Sequence, residues 1–399
     1  MICFRRVLQS WLVFCLVTMS FGAQVPEDMG PYPVGVRSVS FQHPLSSAST
    51  VTADIYYPAL SAGNNAPPDQ AGGPYPFTSF LHGYFAPPSF YSDLIRHMAS
   101  HGFVVAAVST QTGFFQSIIA EAHDAHALMH WCDDRNQVGG HFLEGMLLPG
   151  PWSAVGHSNG VAAIFELLAW EPRVKTVAAT EGNWFTLPTV GQFQGSFLSV
   201  GSSEDSLAPY GSNARRYYTE ASNARRRVWA LIEGGGHNGS LDFATAFNSL
   251  PHATQNRLHR RLITGFLRAE LSGEEDLYHH LVGEGISAEP VTREGDCMRP
   301  VLWTRPAAFP PSGQQLGVMG RPLDALSLFY VAGGTSMWSP VGANGGGGRL
   351  LHQSILPATG IGAYIWVPPS GLDSVRFVGA CSTAGAPARR TRRVRVDFP

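Results

Sequence analysis

Between residues 77 and 271 short apolar runs alternate with stretches of helical periodicity. Phe77 to Leu81, Phe103 to Val108, Trp152 to Val155, Val174 to Ala179, Ser196 to Val200 and Arg227 to Ile232 predict strands. Most are apolar nearly throughout, as expected of strands buried on both faces. Tyr91, Leu94, Ile95 and Met98 recur at spacings of three and four and predict a helix over 90–100. Further helices are predicted over 117–132, from Val161 to Ala169, and over 253–271, where Leu258, Leu262, Ile263 and Phe266 form the apolar stripe. Strands alternating with helices predict an α/β unit whose mostly parallel sheet is covered on both faces. Upstream, Val34 to Val39 and Val51 to Tyr57 predict antiparallel strands. Past about residue 290 the helical periodicity stops. Ala325 to Tyr330, Ala363 to Val367 and Val375 to Val378 predict short strands between loops rich in Gly, Pro and Ser, and Val394 to Phe398 a final edge strand with a charged face. The expected organisation is a large α/β unit over 24–295 and a small β-sandwich-like unit over 296–399.

Composition alters this picture at the N-terminus. Arg5 and Arg6 precede the mostly apolar run Val7 to Val17, and Ala23 offers a small residue before a cut. This is the pattern of a secretory signal peptide over 1–23, and the run is too short for a comfortable membrane span. The expected protein is secreted or periplasmic, beginning near Gln24, with no transmembrane segment after signal removal. Export permits a disulfide. Of the five cysteines, Cys3 and Cys15 leave with the signal. Cys297–Cys381 is the favoured pair, and Cys132, inside a helical pattern, reads as a buried thiol. The formal net charge is −2, so nucleic acid is not an expected partner.

Gly156-His157-Ser158-Asn159-Gly160 matches G-x-S-x-G, a weak signal alone. Here it joins a predicted strand to a predicted helix, as the nucleophile elbow of an α/β-hydrolase requires. A serine hydroxyl needs a base to take its proton. His237 directly follows the last strand of the α/β unit, within Gly234-Gly235-Gly236-His237-Asn238-Gly239. The acid belongs between the two, and Asp205 lies just past the strand Ser196 to Val200; Glu204 and Glu181 are the rivals. The expected catalytic triad is therefore Ser158, Asp205 and His237. The expected oxyanion hole is made of the amides of Asn159 and Tyr84. His123, His126 and His130 with Asp124 share one predicted helix face, but lack the partner ligands and the Glu of a metalloprotease helix. That face reads as a polar surface, and no metal is expected.

These residues also resemble a family. Ser100-His101-Gly102-Phe103-Val104-Val105, the Gly83-Tyr84 turn, Gly156-His157-Ser158, the Gly201-to-Asp205 loop and His237 together resemble the bacterial cutinase-like polyester hydrolases. Platelet-activating-factor acetylhydrolase and chlorophyllase-type hydrolases are similar in the same way. The resemblance runs from about residue 30 to 290. It implies an α/β-hydrolase fold, a cofactor-free carboxylic-ester hydrolase and a shallow open cleft. It further implies that Trp184 stacks on substrate, with core packing as the other reading. Two departures stand out: Asn159 where the family carries Met, and Val161 where it carries a second glycine. Both alter the cleft wall and weaken a specific claim for polyester.

The resulting expectation is a secreted serine esterase working through an acyl-enzyme, with lipid or polyester as candidate substrates. A secreted amidase or peptidase with the same triad, and a non-catalytic binding protein of this fold, stay open beside it. So does a polymer- or surface-binding role for the C-terminal unit.

Overall fold

The computed structural model describes residues 25–244 and 248–297 and, beyond these, the strands and adjoining turns at 300–306, 314–321, 325–332, 349–359, 361–366, 374–383, 389–390 and 394–397. The expected signal segment 1–23 lies outside the described residues.

Ten strands form one sheet. In chain order they are β1 (Val34–Phe41), β2 (Val51–Pro58), β3 (Gly63–Asn64), β4 (Phe77–Leu81), β5 (Val104–Val108), β6 (Trp152–His157), β7 (Val174–Thr180), β8 (Ser196–Ser202), β9 (Arg226–Ile232) and β10 (Val291–Cys297). Their spatial order is β10-β9-β8-β7-β6-β4-β5-β2-β1-β3. The block β5-β4-β6-β7-β8-β9 is parallel throughout. β2 pairs antiparallel with β5 and with β1, and β10 closes the far edge antiparallel to β9. This is the α/β-hydrolase fold expected from the pattern of the chain. Because β10 belongs to the large sheet, that unit runs through Cys297 and the expected boundary at 295 falls inside a strand.

The helices are α1 (Ser92–Ser100), α2 (Ile118–Asn136), α3 (Asn159–Leu167), α4 (Pro188–Gln192), α5 (Ala214–Glu220), α6 (His252–Leu271) and α7 (Tyr278–Leu281). They cover two separate apolar layers. One face buries Val104, Ala106 and Val108 with Leu128 and Met129 of α2 and Val161 and Phe165 of α3. The other buries Val105, Ala107, Val155 and Leu198 with Leu94 and Met98 of α1 and Leu258, Leu262 and Phe266 of α6. Successive strand residues thus serve opposite layers, which is why the central strands carry no polar alternation. Among the described residues no helix is long and apolar enough to cross a membrane.

The C-terminal region forms two small sheets. One is β11 (Val301–Pro306), β12 (Gln314–Met319) and β15 (Ile361–Trp366); the other is β13 (Ala325–Ala332), β14 (Arg349–Ile355), β16 (Ser374–Ser382), β17 (Arg389–Arg390) and β18 (Val394–Asp397). Leu302, Leu316 and Val318 of the first pack with Leu326, Leu328 and Phe377 of the second. The region is not detached, however. Val301, Trp303 and Met319 sit in the same apolar cluster as Phe266 and Tyr278 of the large unit. The expected Cys297–Cys381 disulfide is not formed. Cys297 fills the large cluster and Cys381 the small one, each as a small apolar side chain. Cys132 is a buried free thiol whose pKa burial pushes up.

Two predictions follow from this packing. Trp303, 1% exposed, bridges the two units, so Trp303→Ala should destabilise the whole protein by about 3 kcal/mol or more. Thermal unfolding at a single, lowered midpoint is the expected result; loss of a separate C-terminal transition alone would contradict the shared core. The second concerns acid. His97, buried between α1 and α6, bonds Thr264 Oγ1 and the Asp28 carbonyl at 2.9 Å each. Burial first, then the neighbouring His101 and Arg260 charges, push its pKa down to about 3, and burial pushes His101 down to about 4. Unfolding returns both to ordinary values, so between about pH 6.5 and 3 the unfolded chain binds more protons. Stability should therefore fall as pH drops through that window and level off above it. Urea midpoints at pH 7 and pH 5 measure this, and His97→Gln should flatten the slope.

Candidate active site

The carboxyl ends of β4, β6, β8 and β9 open onto one cavity of about 470 Å³, the edge where open parallel sheets bind ligands. Ser158 occupies the single residue between β6 and α3, with φ 53° and ψ −120°. A residue with a Cβ seldom adopts a positive φ, and the surrounding contacts must impose it. They do so through two glycines. A Cβ at Gly160 would stand 2.3 Å from the Leu81 carbonyl oxygen, and one at Gly156 would stand 2.8 Å from Ile164 Cδ1. Only glycine at both places lets α3 leave β6 this abruptly, directing the Ser158 side chain into the cavity.

His237 and Asp205 reach Ser158 from the turns after β9 and β8. His237 Nε2 lies 2.9 Å from Ser158 Oγ, and His237 Nδ1 lies 2.7 Å from Asp205 Oδ2. An ionised carboxylate can only accept, so Nδ1 carries the proton and Nε2 accepts from the serine hydroxyl. The Asp205 side chain is 1% exposed. Its second oxygen accepts the Leu207 and Ala208 N–H groups at 3.0 and 2.8 Å, which fixes the carboxylate.

Both rival acids are engaged elsewhere. Glu204 accepts from the Ser249 N–H at 2.7 Å and from the Ser249 hydroxyl, bonds that hold its carboxyl below the usual range. Glu181 is fully buried behind the site, 3.0 Å from His259 Nε2, and accepts from Ser202 Oγ at 2.6 Å. Burial disfavours the His259 cation, but the Glu181 carboxylate and the Gln255 carbonyl outweigh it and raise the histidine pKa.

Behind the three residues runs a second set of bonds with little sequence signal. His157 Nε2 donates to the His237 carbonyl at 2.9 Å. Its Nδ1 accepts the Tyr91 hydroxyl at 2.8 Å, and Tyr91 accepts the Gly83 N–H at 3.2 Å. Burial first, then the facing His237, push the His157 pKa down to about 3, so the ring stays neutral and keeps one donor and one acceptor. Gln255 of α6 clasps the Gly236 peptide, accepting its N–H at 3.2 Å and donating to its carbonyl at 2.6 Å. His157 was visible only as the variable position of G-x-S-x-G. Nothing local marked Tyr91 or Gln255, which act across 66 and 19 residues.

The Tyr84 and Asn159 positions both line the cavity. Asn159 opens α3, where N–H groups have no acceptor within the helix. The Tyr84 amide donates to no protein acceptor among the described residues. His82, by contrast, serves the turn. Its ring is buried, with its nitrogens 2.9 and 2.7 Å from the Gly83 and Thr110 carbonyls, while its own N–H donates to Glu121. The Asn159 side chain bonds Asn183 at 2.8 Å and Gln116 at 3.3 Å, which makes this part of the cavity wall polar.

Trp184 is placed to one side of this cavity, which its neighbour Asn183 lines instead. Its ring packs edge-on to Tyr217 with centroids 4.7 Å apart, and Arg216 caps it at 4.6 Å. The Asn213 side chain accepts the Trp184 backbone N–H at 2.9 Å, and the residue is partly buried. The apolar lining comes from Tyr84, Phe85, Phe90, Leu207, Leu241 and Phe243.

Comparison with known proteins finds distant relatives. The chlorophyllase family matches residues 64–174, a stretch that contains the β4 turn and Ser158 but ends before Asp205 and His237. Chlorophyllase-1 of Arabidopsis thaliana is 28% identical over 125 residues, 29% of this chain and 38% of that protein. The chain thus spans well under half of that chlorophyllase. Cutinase 1 of Thermobifida cellulosilytica is 24% identical over 222 residues, covering 54% of this chain and 75% of the cutinase. Bis(hydroxyethyl) terephthalate hydrolase of Streptomyces coelicolor is 24% identical over 220 residues, covering 54% and 69%. With its α/β-hydrolase fold, this chain is a distant relative of the chlorophyllases and the bacterial cutinases.

Proposed function

We propose that the protein is an exported serine carboxylic-ester hydrolase in which Ser158 is the nucleophile, His237 the general base and acid, and Asp205 the residue that orients His237. The observation that carries this reading is the unbroken chain Ser158 Oγ–His237 Nε2 and His237 Nδ1–Asp205 Oδ2, at 2.9 and 2.7 Å, at the floor of an apolar-walled cavity. The relatives support an ester as the scissile group, since bis(hydroxyethyl) terephthalate is itself a carboxylic ester. The N-terminal pattern Arg5-Arg6 followed by Val7 to Val17 supports export.

The steps follow from the proton positions. As Ser158 Oγ attacks the ester carbonyl carbon, its proton passes to His237 Nε2, and Asp205 stabilises the resulting imidazolium. Negative charge moves to the carbonyl oxygen, which the Tyr84 and Asn159 N–H groups receive. Collapse breaks the bond to the alcohol, which leaves with the proton from His237. Water then adds to the acyl-Ser158 carbonyl and gives its proton to His237. Release of the acid and return of that proton to Ser158 Oγ restore the site. Tyr91 and His157 are positioning residues. They hold the Gly83 and His237 backbones, and so the two sides of the cavity, at a fixed separation.

A fluorophosphonate probe should label the protein at Ser158. On p-nitrophenyl esters Ser158→Ala should lower kcat by roughly ten thousandfold. Absence of both labelling and turnover in the wild-type protein would remove the esterase reading. Tyr91→Phe deletes the Gly83 acceptor and the His157 donor but keeps the ring. It should lower kcat about tenfold with KM nearly unchanged, because a buried bond lost in this network costs about 1–3 kcal/mol. Unaltered kcat would mean that the network does not position the site.

A further inference from the structure

α2 presents His123, His126 and His130 at spacings of three and four. As sequence, this face lacks a further ligand; the fold supplies one. Glu171, in the turn between α3 and β7, brings its carboxylate against the same helix. His126 and Glu171 are 8% and 2% exposed, while the His130 side chain is 39% exposed. His130 Nε2 lies 3.2 Å from His126 Nε2 and 3.7 Å from Glu171 Oε2. All three ligand atoms fall within 4.8 Å of one another. Ligand atoms about 2.0–2.1 Å from a tetrahedral Zn2+ stand roughly 3.3–3.4 Å apart. The His126–His130 spacing is close to that value, and the His130–Glu171 gap is a few tenths of an ångström wider.

We propose that His126, His130 and Glu171 bind one divalent transition-metal ion of the Zn2+ type, with solvent reaching it on the exposed side of His130. Two imidazoles and a carboxylate are the donor set of Zn2+, Cu2+, Ni2+ or Co2+ rather than of Mg2+ or Ca2+. The surroundings suit a cation. Arg173 grips Glu171 in a fork, Nε to Oε1 at 2.8 Å and Nη2 to Oε2 at 2.6 Å, and also bonds Asp133 at 2.6 Å. One guanidinium between two carboxylates leaves the cluster with net negative charge. An ionised carboxylate oxygen has two acceptor sites, so Oε2 can hold both Arg173 and a metal, and the fork sets the orientation of the carboxylate. His123 is not part of the set, since it stacks on Trp170 with centroids 4.3 Å apart. Asp124 is spent on Ser47, Ala48 and Thr110.

The ion would tie the middle of α2 to the α3–β7 turn. The first turn of α2 carries Glu121, whose carboxylate accepts the His82 N–H beneath the cavity. The role is a structural clamp, and it stands independently of the esterase reading.

The test is calorimetric titration of the chelator-treated, dialysed protein with Zn2+, together with the visible spectrum of its Co2+ form. One equivalent should bind, Co2+ should give the d–d bands of a low-coordinate site, and Zn2+ should raise Tm. His130→Ala, at a partly exposed position, should weaken binding by about tenfold or more and abolish the bands and the Tm rise. His126→Gln provides a second variant should the first fold poorly. No saturable binding in the wild-type protein, or binding and bands that survive both substitutions, would overturn the proposal.

Discussion

The site rests on the closeness with which α3 begins against the end of β4. Gly160 lies so near the Leu81 and His82 carbonyl oxygens that no side chain fits between them. That contact allows β6 to turn into α3 across Ser158 alone, at a positive φ that costs on the order of 1–3 kcal/mol. Such strain persists only where the surroundings over-determine it. Here the Ser158 N–H donates to Thr180 of β7, while the Ser158 carbonyl accepts from both Asn183 and Val161. β7 and the turn after it thus hold the residue together with the elbow's own α3. The same closeness sets the turn after β4 against the start of α3, and Tyr84 and Asn159 both line the cavity.

Around that fixed point the polar groups are arranged so that protons have assigned places. His157 stays neutral because it is buried facing another imidazole. His259, fully buried, is pushed the other way: burial lowers its pKa, but the Glu181 carboxylate and the Gln255 carbonyl within hydrogen-bond reach raise it on balance. Gln255 links this pair to the His237 loop through the Gly236 peptide. The glycines of Gly234-Gly235-Gly236 therefore do not leave that loop loose; they let it come close enough to α6 to be clasped.

Much of this was legible in the sequence, and the physical reason differs from part to part. The central strands were legible because burial on both faces forces continuous apolar runs, and the helices because one covered face forces a period of three and four. The positions of Ser158, Asp205 and His237 were legible because each immediately follows such a strand, where a parallel sheet presents its turns. The surroundings of Trp184 were not, because an aromatic side chain after a strand suits a cleft and a core equally; Tyr217 and Arg216, which its ring meets, are more than thirty residues away. β10 was hidden by its polar make-up, Val291-Thr-Arg-Glu-Gly-Asp-Cys297, typical of an edge strand with one wet face. The histidine face of α2 read as mere surface because Glu171, its neighbour in space, lies 41 residues beyond His130 in the chain.

The extent of the family match bears on where specificity resides. It ends at residue 174, so it covers the elbow and the β4 turn but neither Asp205 nor His237. Backbone closeness sets the Ser158 elbow, which lies within the stretch the family match spans. The cavity wall has no such constraint. Phe85, Phe114 and Tyr84 form a linked aromatic rim, with ring centroids 4.8 and 4.9 Å apart, and Phe90 and Phe243 form a second aromatic pair, edge to face at 4.9 Å. Phe114 and Leu207 are 75% and 71% exposed. An exposed apolar rim around a cleft is costly to display to water and is usually retained for what it contacts. Beside these aromatic groups the cavity lining holds the polar pair Asn159 and Asn183. On the proposed reading, a substrate that gains from both is an ester with apolar groups flanking a polar, hydrogen-bonding centre, and a purely aliphatic chain leaves the Asn159–Asn183 edge without a partner.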